Sequence, residues 1–122
     1  MLRTYQKLAH ICGEEFSDIV EQVQFIKSGS AGSTKLRISL KEQSYIDVWL
    51  SVSGKYSYHW ERRAKAGRMF RHDNAPDFPT VPTFPKHFHD GSENNVKESF
   101  LSDKPEEAIR EILNFVRSTC EK

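Results

Sequence analysis

KLRISLKEQSYIDVWLSVSGKYSYHW, residues 35–60, is the stretch on which the fold turns. Leu36, Ile38 and Leu40 alternate with Arg37, Ser39 and Lys41. After KEQS the alternation resumes, with Ile46, Val48 and Leu50 on one side and Tyr45, Asp47 and Trp49 on the other. Successive side chains of a strand point to opposite faces, so a period of two marks strands with one face on a core. Ser53 and Gly54 suit a tight turn, and KYSYHW returns as the next strand, with Tyr56, Tyr58 and Trp60 opposite Ser57 and His59. Strands joined by such short turns make an antiparallel meander.

Upstream, GSAGS at 29–33 reads as a flexible turn. Asp18 to Lys27 reads as a strand through Ile19, Val23 and Phe25, although Ile19, Val20, Val23 and Ile26 also fit a helix. Leu2, Tyr5, Leu8 and Cys12 follow helical spacing, which predicts a short helix over about 2–12 with Gly13 as its stop. Downstream, AKAG at 64–67 closes a hairpin onto RMFRH, a candidate fifth strand. At the far end Asp103 and Glu106 match a capping box, Pro105 fits a first turn, and Ile109, Ile112, Leu113 and Val116 form an apolar stripe. The expected fold is α+β: an antiparallel meander sheet of four to five strands, with an N-terminal and a C-terminal helix packed on one face, plus a long Pro-rich loop.

With 122 residues, 37% hydrophobic and 29% charged, the chain can bury one core, so a single domain over 1–122 is expected. It has no apolar run long enough for a membrane helix. MLRTYQKLAHICGEE lacks the apolar core and cleavage site of a secretory signal, so a cytoplasmic location is expected. Cys12 and Cys120 have no CxxC partner and read as reduced packing residues rather than a zinc site.

The net charge of +1 conceals a segregation. Lys55, Arg62, Arg63, Lys65, Arg68 and Arg71 face the single acid Glu61, whereas Glu14, Glu15, Asp18 and Glu21 cluster near the start. A basic stripe interleaved with Tyr56, Tyr58, Trp60 and Phe70 suits a phosphate backbone with stackable bases. Simple solvation of one hairpin face accounts for it equally well.

RHDNAPDFPTVPTFPKHFHDGSEN, from Arg71, holds three of the five histidines and four of the five prolines. Prolines 76, 79, 82 and 85 narrow the unfolded ensemble, so a long irregular connection can be held in one shape at modest entropic cost. Arg71 can clamp a phosphate through two parallel hydrogen bonds, and Asn74 can fix a base edge or phosphate oxygen; equally, Arg71 and Asp73 can lock the loop to the core. His59 lies on a strand, and Asp47 on the preceding strand is a candidate partner that would favour its protonated form. His87 and His89 share one side of an extended segment. They suit a catalytic acid and base, loop-locking hydrogen bonds or, with His59, His72 or Asp73, metal ligands. The metal has the weakest support, because HxH is short and no third ligand stands at a diagnostic spacing; no cofactor is expected.

YSYHW at 56–60, RHDNAP at 71–76 and TFPKHFHDGSENNV at 83–96, followed by a helix that starts Pro-Glu, resemble the TumE family of toxin-antitoxin-associated proteins. The resemblance spans roughly residues 44–116, the first forty residues matching only in general pattern. It implies a small prokaryotic toxin encoded beside a helix-turn-helix antitoxin, with RNA as the inferred substrate. The motif positions carried over are Tyr58, His59, Arg71, Asp73, Asn74, His87 and His89. The family often has an aromatic where this chain has His72, and histidines after Asn-Ala-Pro where it has Asp77 and Phe78.

Two functions follow from these residues. The first is a metal-independent ribonuclease in which His59 and His89 or His87 divide base and acid work and Arg71 steadies the phosphate. Tyr58, Arg62, Arg63, Asp73, Asn74 and Lys86 would then bind substrate. The second is a non-catalytic protein that binds nucleic acid or the antitoxin and whose histidine-rich loop is a structural lock. A homodimer is left open.

Overall fold

The computed structural model describes residues 1–28 and 33–121. Its elements run α1 (Leu2–Glu15), β1 (Val20–Ser28), β2 (Ser33–Leu40), β3 (Tyr45–Leu50), β4 (Tyr56–Arg62), α2 (Arg63–Ala66), β5 (Arg68–Asp73), β6 (His87–Gly91), β7 (Val96–Glu98) and α3 (Pro105–Cys120). The strands form one antiparallel sheet in the order β1-β2-β3-β4-β5-β6-β7, so each pairs only with its neighbours in sequence. The α+β meander with a helix at each end is therefore as expected.

The strand count is corrected, from four or five to seven. HFHDG, read as part of the loop, pairs with β5 as β6, and Val96–Glu98 pairs with β6 as β7. The Pro-rich connection shrinks to residues 74–86, where no helix or strand forms. Most of the GSAGS turn lies outside the described residues.

The alternation of β2, β3 and β4 sends Leu36, Ile38, Leu40, Ile46, Val48, Leu50, Tyr58 and Trp60 to one buried face. Both long helices pack there, α1 through Tyr5, Leu8, Ile11 and Cys12, and α3 through Ala108, Ile109, Ile112, Leu113 and Val116. Burial at this density stabilises by roughly 1.5–3 kcal/mol for each large aliphatic side chain. The buried Tyr5 hydroxyl is fully used: it donates to the Thr34 carbonyl and accepts from the Leu50 amide, both at 2.9 Å. At the surface Arg110 ties α3 to α1 through Glu15, and Arg117 ties it to the following turn through Asp18.

Two local expectations fail for identifiable reasons. Gly13 does not end α1, which continues to Glu15; the following Phe16 buries its ring, and its amide returns to the Cys12 carbonyl. Asp103 does not cap α3. Lys104 is the N-cap and Pro105 takes the first turn, while the Ser102 hydroxyl accepts the Lys104 amide and donates to Glu107. The two cysteines are free thiols, Cys12 buried and Cys120 exposed.

Two helices about 10 Å wide cover about 20 Å, whereas seven strands spaced about 4.8 Å span nearly 30 Å. The uncovered end of the apolar face is a recess of about 330 Å³ over β5 to β7, lined by Phe70, Phe88, Phe100 and Phe115 among others.

Candidate functional site

The opposite face of the sheet is polar, and its strands set the site. Asp47 stands opposite His59, His59 opposite Arg71, and Arg71 opposite His89, in one row across β3 to β6. The adjacent row places Ser57 opposite Asp73 and Asp73 opposite His87. Because these residues differ by even steps along each strand, they share a face without any loop having to aim them.

Arg71 is the hub. Its Nε donates to Asp73 Oδ2 at 3.0 Å, Nη1 lies 3.3 Å from His59 Nδ1, and Nη2 lies 3.2 Å from His89 Nε2. Its outer edge is held by Glu93, with 2.7 Å from Nη2 to Oε1 and 3.3 Å from Nη1 to Oε2. Burial works against the guanidinium's charge, but the hydrogen bonds it donates to Glu93 and Asp73 outweigh it and raise the pKa above its ordinary value.

Partners also fix the ring nitrogens. A carbonyl oxygen only accepts, so His89 donates its Nδ1 hydrogen to the Glu93 carbonyl at 3.0 Å and turns a lone pair on Nε2 towards Arg71. Burial, reinforced by the Arg71 charge and opposed by the bond to Glu93, lowers the pKa of His89. His59 is oriented the other way, with Nε2 3.0 Å from Glu61 Oε1 and Nδ1 towards Arg71. Arg63 and His59 together hold the Glu61 carboxyl down at about 2, against the opposing effect of burial.

Asp47 and His59 meet in register as neighbours, yet they do not pair. The Asp47 carboxylate is taken by Arg37 at 2.8 and 2.9 Å and by Lys35 at 2.8 Å. Tyr45 and Trp49 flank it on the same face, half-buried.

The 74–86 segment folds back as an arm over the end of this face. Phe78 sets its ring edge-on against His87 and His89, at centroid distances of 4.7 and 5.7 Å. Under it His87 is 1% exposed and His89 3%, whereas the side chains of His59 and Arg71 are 18% and 22% exposed. Asn74 fastens one root of the arm, accepting from the Tyr56 amide and donating to the Gly54 carbonyl. Lys86 fastens the other through the Leu101 carbonyl at 2.6 Å, and Thr83 donates to the Lys86 carbonyl and accepts from the Ser99 amide. Gly91, at φ 90°, then turns the chain tightly enough to bring Glu93 onto Arg71.

The structure thus brings His59, Arg71, Asp73, His87 and His89 together. It separates the rest. Tyr58 is buried on the helix side, and Arg62, on that same side, makes a two-point bond to Glu42. Arg63, in α2, holds Glu61; Asn74 and Lys86 hold the arm. His72 stacks on Phe88 with centroids 4.2 Å apart, bonded to Ser99 on the helix side, and burial takes its pKa down to about 4. Sequence reasoning passed over Glu61 and Glu93. Glu61 was within reach, since it lies two residues beyond His59 on the same strand face; Glu93 depends on a turn that no local pattern announces.

The family model described as toxin TumE matches residues 8–119. The chain belongs to the TumE toxin family. The match reaches well beyond the 44–116 span of the motifs and takes in the second half of α1 together with β1 and β2. No curated protein and no solved structure matches the chain. Among the described residues, no helix is long and apolar enough to cross a membrane.

Proposed function

We propose that this TumE-family chain is the toxin of a prokaryotic toxin-antitoxin pair and that it cleaves RNA with His59 and Arg71. The observation that carries the reading is the His59 and Arg71 pair itself: adjacent across two strands, reached by solvent, and backed by Glu61 on the far ring nitrogen. In RNA cleavage by internal attack, the 2′-hydroxyl loses a proton, its oxygen bonds to phosphorus, and the 5′-oxygen leaves with a proton. His59 Nδ1 faces the guanidinium that would bind the phosphate, so it is placed to take the first proton. Glu61 stabilises the imidazolium that results, Arg71 offers its fork to the non-bridging oxygens, and water at this open face supplies the proton for the leaving oxygen.

In this reading Asp73, His87 and His89 act through Arg71 and do not touch RNA, because the arm covers them. Tyr45 and Trp49 supply stacking surface beside the pair. An antitoxin of helix-turn-helix type, encoded nearby, is the proposed partner, and the cytoplasm is the proposed place of action. Incubation of the purified protein with single-stranded and structured RNA, with and without EDTA, tests the chemistry. Cleavage that persists in EDTA and disappears in His59→Ala is expected; cleavage unchanged by that substitution would sink it.

A specific observation favours a second reading. Glu93 already closes the fork of Arg71, and Asn74, Thr83, Lys86 and His87 are all engaged in fastening the arm. A non-catalytic toxin that binds RNA or antitoxin would show salt-dependent or stable binding without turnover. Loop-histidine variants would then lose stability more than binding.

A further inference from the structure

We infer that Asp73, His87 and His89 form a binding site for a divalent transition metal of the zinc class. One side-chain atom from each residue lies within 4.8 Å of the other two, and all three residues are buried. His87 Nε2 is 3.1 Å and His89 Nε2 3.8 Å from the Asp73 carboxylate. Around a tetrahedral metal with bonds of about 2.1 Å, ligand atoms stand roughly 3.4 Å apart, so side-chain shifts of about 1 Å complete the set.

The second observation is how the rings are held. His87 directs Nδ1 to the Pro85 carbonyl and His89 directs Nδ1 to the Glu93 carbonyl, each at 3.0 Å. Both Nδ1 atoms therefore carry the hydrogen, and both Nε2 atoms turn towards one carboxylate. That is the outer-shell arrangement by which metal-binding histidines are oriented. Charge agrees with it: with both imidazoles neutral, the single guanidinium of Arg71 bridges the two carboxylates of Asp73 and Glu93, a setting that favours a cation. Two imidazoles and one carboxylate suit zinc and its neighbours better than magnesium or calcium, which favour all-oxygen shells. With the metal bound, Arg71 gives up His89 and Asp73 and keeps Glu93 and His59. The metal joins β5 to β6 beneath Phe78, and its binding is measured without reference to the RNA chemistry assigned to His59, although the two share Arg71.

The test uses the full chain, stripped of metal with chelator and then titrated calorimetrically with Zn²⁺ and, for its visible absorption, with Co²⁺. We expect one ion per chain, a Co²⁺ spectrum of nitrogen and oxygen coordination, and a higher melting temperature with Zn²⁺. Asp73→Asn and His87→Gln should each weaken binding at least tenfold, while His10→Gln, at an exposed helix position, should leave it unchanged. Circular dichroism verifies that each variant is folded; if one is not, the wild-type stoichiometry and Co²⁺ spectrum decide. Absence of binding by the wild type, or binding that the Asp73 and His87 variants retain in full, would overturn the inference whatever the RNA assays show.

Discussion

His59 and Arg71 face each other across β4 and β5 with 3.3 Å between Nδ1 and Nη1, while Glu61 holds the opposite edge of the imidazole at 3.0 Å. This pairing makes the ring nitrogen nearest the guanidinium the one without a hydrogen. His59→Ala should lower RNA cleavage by about 10²-fold or more, in the range typical of a lost acid-base group, with little change in melting temperature. Arg71→Lys keeps the charge but loses the fork, and should lower cleavage by a similar order. Single-turnover cleavage of a labelled RNA, beside circular dichroism, measures both.

Glu93 occupies the edge of Arg71 that a phosphate would need, and its own side chain is 50% exposed. Glu93→Gln should therefore strengthen RNA binding several-fold at low salt and steepen its salt dependence. Filter binding across a salt series checks this; unchanged affinity would mean that the phosphate does not sit on that edge.

Acid stability depends on Glu42 and Glu61. Burial alone would raise the Glu42 carboxyl, but hydrogen bonds from Arg62, Ser44 and Cys120 overcome it and bring the pKa down to about 2. A carboxyl lowered on folding contributes stability that is present above its unfolded value near 4.5 and is lost as pH falls towards 2. After solvent screening this amounts to on the order of 1–2 kcal/mol for Glu42. Denaturant midpoints from pH 6 to pH 2 should fall across that window, and Glu42→Gln should flatten part of the slope.

Asn74 bonds the Tyr56 amide and the Gly54 carbonyl, joining the root of the arm to the β3–β4 turn. Asn74→Ala should cost about 1–2 kcal/mol of stability by stranding those backbone groups. If the arm only covers His87 and His89, hydrogen exchange should rise at 74–86 while the β2–β3 ladder stays protected.

The central hairpins were legible because each pairs an apolar and a polar residue at every step, as Ile46 and Asp47 do. β6 was not. Its sole apolar outlier is Phe88, both its neighbours are histidines, and four prolines precede it, so nothing in it resembles a half-buried strand. What the histidines needed for burial was the arm, and Phe78 gave no sign in the sequence that it would lie over them. The basic stripe is divided between two faces for a related reason. A run of charge is one-dimensional, whereas strand parity divides it: Arg62 falls on the helix side and Arg71 on the polar side. The same parity separates His72 from Asp73. His59, Arg71, His87 and His89 meet through the register of β4, β5 and β6; even spacing alone announces only the shared side of His87 with His89 and of Arg71 with Asp73.

The strict neighbour-by-neighbour order of the sheet separates assembly of the site from its support. The row from Asp47 to Glu93 lies within residues 47–93 and its outer partners reach back only to Lys35, whereas the helical cover joins residues as distant as Glu15 and Arg110. Sheet contacts are local and close early; the helix layer must pay for a loop almost as long as the chain. A nascent chain that has not yet delivered α3 already carries its entire chemistry but lacks Ala108, Ile109, Ile112, Leu113 and Val116 from the core. Closure of the core therefore waits for α3, the sixteen-residue helix Pro105–Cys120, although every residue of the polar array precedes it in the chain.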